Sequence, residues 1–254
     1  MQIKKMTNRL EAVFTLIPKV EVIADIGTDH GYLAVELVRR GRARAAIAGD
    51  VNKGPLASAK SYVMHEGLAA QVDCRLGNGL QVVRRGEIQG AVICGMGGFL
   101  MRDIIAAGPE LLDFYVLQPQ NGQAELRQYL VEQGYRIVAE LIVTDMGKLY
   151  TALLALKKGR EAVYVSESGP VTKQVLDKPD VYGQLAPQSI LWAVGAHLAN
   201  ERPPLWDLYI KHLMHIRESA LASMTESLKD TPKYQELQAE LRALGDLKDT
   251  TKVL

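Results

Sequence analysis

The chain carries only two cysteines, Cys74 and Cys94, in 254 residues. That is too few for a disulfide framework or a cysteine metal cluster, so both are expected as thiols in a reducing compartment. It also lacks any apolar run approaching the roughly 18 residues of a membrane span, and the opening MQIKKMTNRL is basic without the apolar stretch of a secretory signal. A cytoplasmic protein with no membrane partner is expected. Charge of one sign is missing as well, because 30 Lys and Arg against 29 Asp and Glu leave a net +1. Such a balance neither favours nor excludes nucleic acid and leaves the decision to local patches. No internal repeat or low-complexity tract is evident.

What is present is a 48% hydrophobic composition, enough for one large domain and a smaller appendage. Strand-like runs at 21–26, 45–49, 72–76, 91–94 and 114–117 end in Gly, Asp, Asn or Pro. Helix-period stretches at 32–40, 55–66, 99–107 and 123–133 lie between them. Strand and helix in alternation predict an α/β fold whose parallel sheet is covered on both faces. Two further strand-like runs, 135–143 and 149–156, flank the turn signal TDMGK and predict an antiparallel hairpin closing the sheet edge.

After Lys158 the pattern changes, and the turn-rich stretch from Gly159 to Pro187 reads as a linker or insertion. Beyond it Trp206, Ile210, Leu213, Ala220 and Met224 repeat at helical spacing. So do Tyr234, Leu237, Leu241 and Leu244 after the helix start Thr231-Pro232. A helical hairpin of residues about 206–247 is expected. Its apolar stripes read first as packing surfaces. His197, His212 and His215 are expected on a solvated helical surface, and the last two, without a nearby acid or cysteine, make a poor metal site.

The stretch VIADIGTDHGYLAVELV, Val22 to Val38, runs a buried strand into Asp25, Gly27, Asp29 and Gly31 and then into a helix. The dinucleotide signature G-x-G-x-x-G is absent. D-x-G-x-x-x-G stands in its place and suits a cofactor without phosphate, such as S-adenosylmethionine, whose ammonium Asp25 can bind directly or through water. Equally, Asp25 is placed to cap the helix that follows. Asp50 closes the second strand about 20 residues on, where an acid reaches ribose hydroxyls, and Asn78 in CRLGNGL can meet an adenine edge. Each of these alone is ordinary turn chemistry, but three strand ends in order point at one nucleoside. The fourth strand ends in CGMGG, not in the Asn/Asp-Pro-Pro-aromatic clamp of many amino-group methyltransferases. Gly95, Gly97 and Gly98 thus offer bare backbone to a flat ring, or simply make a tight strand-to-helix turn.

Together MTNRLEAV, ADIGTDHGYLA, DVNKGPL, CRLGNGL, CGMGG, LQPQN and KLYTALL make residues 1 to about 157 resemble the bacterial tRNA (adenine-22-N1)-methyltransferase family, the TrmK type. The resemblance implies a class I methyltransferase fold over residues 1–158, with residues 159–254 as linker and C-terminal helical hairpin. S-adenosyl-L-methionine is the implied donor and tRNA the implied partner, with no metal, in a monomer or weak homodimer. It places Asp25, Gly27, Thr28, His30, Gly31, Asp50, Val51, Asn52, Gly77, Asn78, Gly79 and Cys94 against the cofactor. Asp29, Gly95, Met96 and Gly97 are placed at the reacting base.

The ring nitrogen N1 of adenine has an in-plane lone pair and needs no general base, so alignment and exclusion of water suffice. Positive charge passes to the purine, and Asp29 is the candidate to stabilise it by accepting from the exocyclic amine. The alternative for Asp29 is a capping acid at the helix start. For tRNA phosphates the basic candidates are Lys4, Lys5 and Arg9, the run Arg39 to Arg44, and Arg84 with Arg85. The target base would be extruded from its stack to reach the methyl. Two rival functions remain open from the residues alone, a methyltransferase acting on another RNA, a protein or a small molecule, and a catalytically silent RNA-binding module.

Overall fold

A computed structural model describes residues 6–225 and 228–250, and within them a seven-stranded sheet has the order β3-β2-β1-β4-β5-β7-β6. The first five strands, β1 (Val20–Ile26), β2 (Ala43–Asp50), β3 (Val72–Leu76), β4 (Gly90–Met96) and β5 (Phe114–Pro119), are parallel. β7 (Lys148–Lys157) runs antiparallel to β5, and β6 (Tyr135–Asp145) pairs with it at the edge, so the expected hairpin is present.

Alternation along the strands sorts side chains between two cores. Ala24, Ile26, Ile47, Ile93 and Leu117 face one core, shared with α4 (Gly98–Ala106), α5 (Gln123–Glu132) and the C-terminal helices. Ile23, Ala46, Ala48, Val92 and Val116 face the other, shared with α1 (Asn8–Thr15), α2 (Tyr32–Arg39) and α3 (Lys53–His65). Because all five parallel strands end on the same side, the acids and glycines that terminate them form one edge.

The stretch 159–187 is not featureless. It holds a 3₁₀ turn at Glu161–Tyr164, α6 (Lys173–Asp177) and a second 3₁₀ turn at Tyr182–Gln184, and it buries Tyr164, Val171 and Tyr182. Its turn-rich sequence hid this because single apolar residues, not a periodic stripe, anchor it. Two short helices that the sequence did not reveal, α7 (Leu191–Val194) and α8 (Ala196–Glu201), follow.

α9 (Trp206–Ser223) and α10 (Pro232–Asp249) pair antiparallel. Arg202, just before α9, donates to the Leu247 carbonyl near the end of α10, and Arg217 pairs with Glu240 midway. Only the base of this hairpin joins the core, through Trp206, Tyr209, Ile210, Leu244 and Leu247.

A buried ion pair fastens the segment before this hairpin, α7 and α8, to the sheet. Arg127 of α5 donates from Nε to Glu140 of β6 at 2.8 Å, and both side chains are at most 1% exposed. Arg127 Nη1 also donates to the carbonyls of Trp192 and Ala193, while Glu140 accepts from the Tyr182 hydroxyl and the His197 amide. Gly195 lies here with φ +103, and a Cβ on it would fall 3.0 Å from the Glu140 carboxylate. His197 is therefore not on a solvated surface. It is half-buried, with its ring Nε2 2.8 Å from the Ile137 carbonyl.

Removing one member of a buried pair strands a charge in a desolvated site. Arg127→Met should therefore cost about 3–5 kcal/mol in urea unfolding, whereas Arg127→Met with Glu140→Leu should recover much of that loss. A single variant that loses less than about 1 kcal/mol would show that the pair does not hold this junction.

Candidate active site

The turn after β1 is tied down by its backbone. The amides of Gly27 and Thr28 both donate to the Gly49 carbonyl at the end of β2, at 2.8 and 3.1 Å. Gly27 has φ +77, which favours glycine, and a Cβ there would fall 2.3 Å from Met96 Cε, so that flexible side chain would have to move. Gly31 has φ +73, and a Cβ on it would fall 3.2 Å from the Ala59 Cβ and 3.3 Å from its Cα on α3. Between them His30 adopts φ 63, a left-handed conformation that costs about 1–3 kcal/mol and clusters at functional turns. Its Nε2 is 3.3 Å from the Asp29 carboxylate, which is 79% exposed.

Asp25 and Asp50 behave differently from Asp29. Asp25 is 5% exposed and accepts from Thr28 Oγ1 at 2.6 Å. Burial pushes its carboxyl up to about 6; the Thr28 hydrogen bond opposes this and the nearby Asp50 adds to it. Asp50 Oδ1 accepts from the Asn52 amide at 2.7 Å, and its main-chain carbonyl from the Gly77 amide at 3.0 Å. That leaves Oδ2 for a ligand. Val51 and Leu76, at the ends of neighbouring strands β2 and β3, are 63% and 50% exposed, two apolar side chains beside an acid. Asn78 is exposed, and Gly79, with φ +53, abuts Ile104 of α4.

The glycines after β4 have packing reasons. The β4–β5 register shifts between Cys94 and Met96, and Gly95 takes φ +74 in that bulge. A Cβ on Gly97 would lie 2.7 Å from Asn121 Oδ1, and one on Gly98 only 2.3 Å from the Gly122 carbonyl. The β4–α4 turn is thus pressed against the β5–α5 turn, with the Gly98 amide donating to the Asn121 carbonyl at 2.8 Å. Gly98 is buried, whereas Gly95 and Gly97 remain half-exposed backbone. The Cys94 thiol is raised by burial and by Asp25, so it stays protonated and is no nucleophile.

Gln118 and Tyr150 escaped the sequence reading as parts of this edge, whereas Arg9 entered it only as a candidate for tRNA phosphates. Gln118, fully buried at the end of β5, accepts through Oε1 from the Gly95 amide at 3.1 Å and from Arg9 Nη1 at 2.5 Å. The guanidinium of Arg9 also lies 5.3 Å from the centre of the Tyr150 ring on β7. LQPQN ends its strand as the other motifs end theirs, and that position was the available signal. Of the basic candidates, Lys4 and Lys5 lie outside the described residues. Arg39 pairs with Glu36 and Glu66, Arg40 with Glu11 and Glu36, Arg44 with Glu21 and Arg85 with Glu110. The run 39–44 is therefore charge-balanced, not a bare basic stripe. Among the described residues no cluster of three His, Cys, Asp or Glu is placed to hold a metal, and no helix is long and apolar enough to cross a membrane.

Comparison with known proteins fits this edge. Residues 6–153 match the family described as a methyltransferase domain. The chain is 31% identical to the tRNA (adenine(22)-N(1))-methyltransferase of Bacillus subtilis over 252 residues, covering 96% of this chain and 98% of that one. The chain belongs to this methyltransferase family. The B. subtilis TrmK crystal structure superposes with a TM-score of 0.73 at 29% identity, covering 96% of this chain and 99% of that one. A Streptococcus pneumoniae protein crystallised with S-adenosyl-L-methionine gives 0.76 at 28% identity, over 96% and 99%. TrmK relatives thus extend through the C-terminal helices as well as the sheet.

For this TrmK-family member the buried acid sets a pH signature. A folded-state carboxyl raised from 3.8 to about 6 contributes stability that is present in full below 3.8 and is lost as pH rises through about 6. The complete loss is about 3 kcal/mol. Unfolding free energy of the ligand-free protein should therefore fall between pH 4 and 7, and Asp25→Asn should flatten that slope. An identical slope in the variant would remove Asp25 as its source.

Proposed function

We propose that this protein transfers the methyl group of S-adenosyl-L-methionine to N1 of an adenine in tRNA, at position 22. The observation that carries this reading is the shared edge, where Asp25, Asp50 and the Gly95–Gly97 backbone converge at the carboxyl ends of adjacent parallel strands in a chain matching TrmK relatives along nearly its whole length.

The donor set fits the cofactor. Asp50 Oδ2 would accept from a ribose hydroxyl, with the Asn52 amide fixing the carboxylate. Val51 and Leu76 would cover the faces of the adenine ring, and Asn78 would meet its edge. Gly27, Thr28, His30, Gly31, Gly77, Gly79 and Cys94 would line the rest. An ammonium beside Asp25 would return that carboxyl to its ionised form. The bound cofactor supplies an electrophilic methyl on a sulfonium.

The chain's own groups then align and stabilise the acceptor. N1 attacks with its lone pair, so no side chain needs to remove a proton. Asp29, open to solvent, is placed to accept from the exocyclic amine as positive charge reaches the purine, and His30 orients it. Gly95, Met96 and Gly97 shape the space for the ring. Residues 1–158 carry the chemistry in this proposal. Residues 159–254, through the exposed part of the α9–α10 hairpin, hold the body of the tRNA. The two free thiols suit a cytoplasmic enzyme, acting as a monomer or weak homodimer.

Mass spectrometry of nucleosides from tRNA incubated with the protein and cofactor should show 1-methyladenosine. Asp50→Ala should weaken cofactor binding by about 1.5–3 kcal/mol, and Asp29→Ala should slow the single-turnover rate about 100-fold at saturating cofactor. No 1-methyladenosine from the parent protein would reject the function. Unchanged binding or rate would reject the corresponding residue's role.

A further inference from the structure

We infer that Gln118 and Tyr150 form the recognition site for the acceptor adenine, and that the Arg9 guanidinium occupies this site until RNA displaces it. The inference rests on the adenine-N1 reading above and deepens it.

Gln118 Oε1 has two acceptor sites. The Gly95 amide fills one at 3.1 Å, and Arg9 Nη1 fills the other at 2.5 Å. The first donor is main chain within the sheet and cannot leave. The second is the end of a long side chain near the start of α1. The guanidinium is planar, delocalised and positively charged; it lies 5.3 Å from the Tyr150 ring centre and comes so near Gly95 that a Cβ there would be 3.2 Å from Nη1.

An adenine methylated at N1 is also a planar, delocalised cation with an N–H at its edge. The exocyclic amine, adjacent to N1, carries two hydrogens: one is left for Asp29, and the other would go to Gln118 Oε1 in place of Arg9, with the ring stacked on Tyr150. As N1 acquires the methyl, that amine becomes a stronger donor, so the bond tightens where charge develops. Guanine and inosine carry an oxygen acceptor at the same place. It would face Oε1 without a proton between them, which explains how the site rejects them.

Arg9 is held by a neutral amide and a ring, and among the described residues no acid forms an ion pair with it. Leaving therefore breaks one charge-assisted hydrogen bond and strands no carboxylate. An RNA phosphate is the partner that a freed arginine would take. Arg9 next to a developing cation would also raise the barrier, which is a second reason for it to move.

The test is calorimetric titration of the nucleosides adenosine and inosine into protein saturated with S-adenosylhomocysteine, so that the cofactor site is filled. Arg9→Ala should bind adenosine about 10-fold or more tightly than the parent, the ratio expected for removing one charge-assisted competitor. Inosine should show no gain, and adding Tyr150→Leu should abolish the gain for adenosine. Arg9→Met, which keeps the apolar stem, gives the same reading if the alanine variant melts early. Unchanged or weaker adenosine binding in a folded variant overturns the displacement, and an equal gain for inosine overturns the role of Gln118. If the parent forms 1-methyladenosine in tRNA and these titrations fail, only this inference falls. If it does not, the reading beneath it falls.

Discussion

The buried pair of Arg127 and Glu140 is the joint on which the arrangement depends. It links α5, the edge strand β6 and the 192–197 turns in one desolvated network, in which Arg127 caps two carbonyls and Glu140 accepts from Arg127, a tyrosine hydroxyl and an amide. Burial opposes charge on the guanidinium, but Glu140 outweighs it and drives the arginine pKa upward. The effect reaches the active edge through α5. That helix starts at Gln123, immediately after the Asn121-Gly122 turn against which Gly97 and Gly98 are pressed. Fixing α5 therefore fixes the wall of the acceptor space some distance from any catalytic group. The carbonyls of Trp192 and Ala193 in α7 satisfy Arg127, so α7 is tied to α5 through this pair.

At the edge itself three acids sit in three different surroundings. Asp25 is buried and easily protonated, Asp50 is nearly buried but anchored by an amide, and Asp29 is open to water. In the proposed reaction these environments would suit a cationic amino-acid end, a neutral ribose and a ring that becomes cationic, without a general base. His30 takes a left-handed conformation beside Asp29, and Gly98 lets the β4–α4 turn approach the β5–α5 turn more closely than any side chain would allow.

Much of this was legible in the sequence because it is local. Apolar runs and period-3.6 patterns marked the strands and the helices from α2 through α5, and each strand end announced itself by a glycine, an aspartate, an asparagine or a proline. The motif-by-motif resemblance added the donor and the acceptor. Contacts between residues far apart in the chain were not legible. Arg9 reads as a cation for tRNA phosphate, with nothing to tie it to Gln118 until β5 brings the two together, and Arg127 and Glu140 read as ordinary helix and strand polar positions. The stretch 159–187 looked like a linker because Tyr164, Val171 and Tyr182 anchor it singly, and His197 looked solvated because its partner is a carbonyl of β6. The three glycines at and just after the end of β4 suggested a ligand, whereas Gly98 is explained by the neighbouring turn alone.

The central claim is that this edge methylates N1 of a single adenine of tRNA. A methyl at N1 blocks Watson–Crick pairing, so reverse transcription of treated tRNA reports the position directly. The account predicts a new, cofactor-dependent arrest at adenine 22 and nowhere else, and its loss when that adenine is replaced by guanine. Arrest at a different nucleotide, or an intact read-through alongside incorporated methyl label, would contradict it.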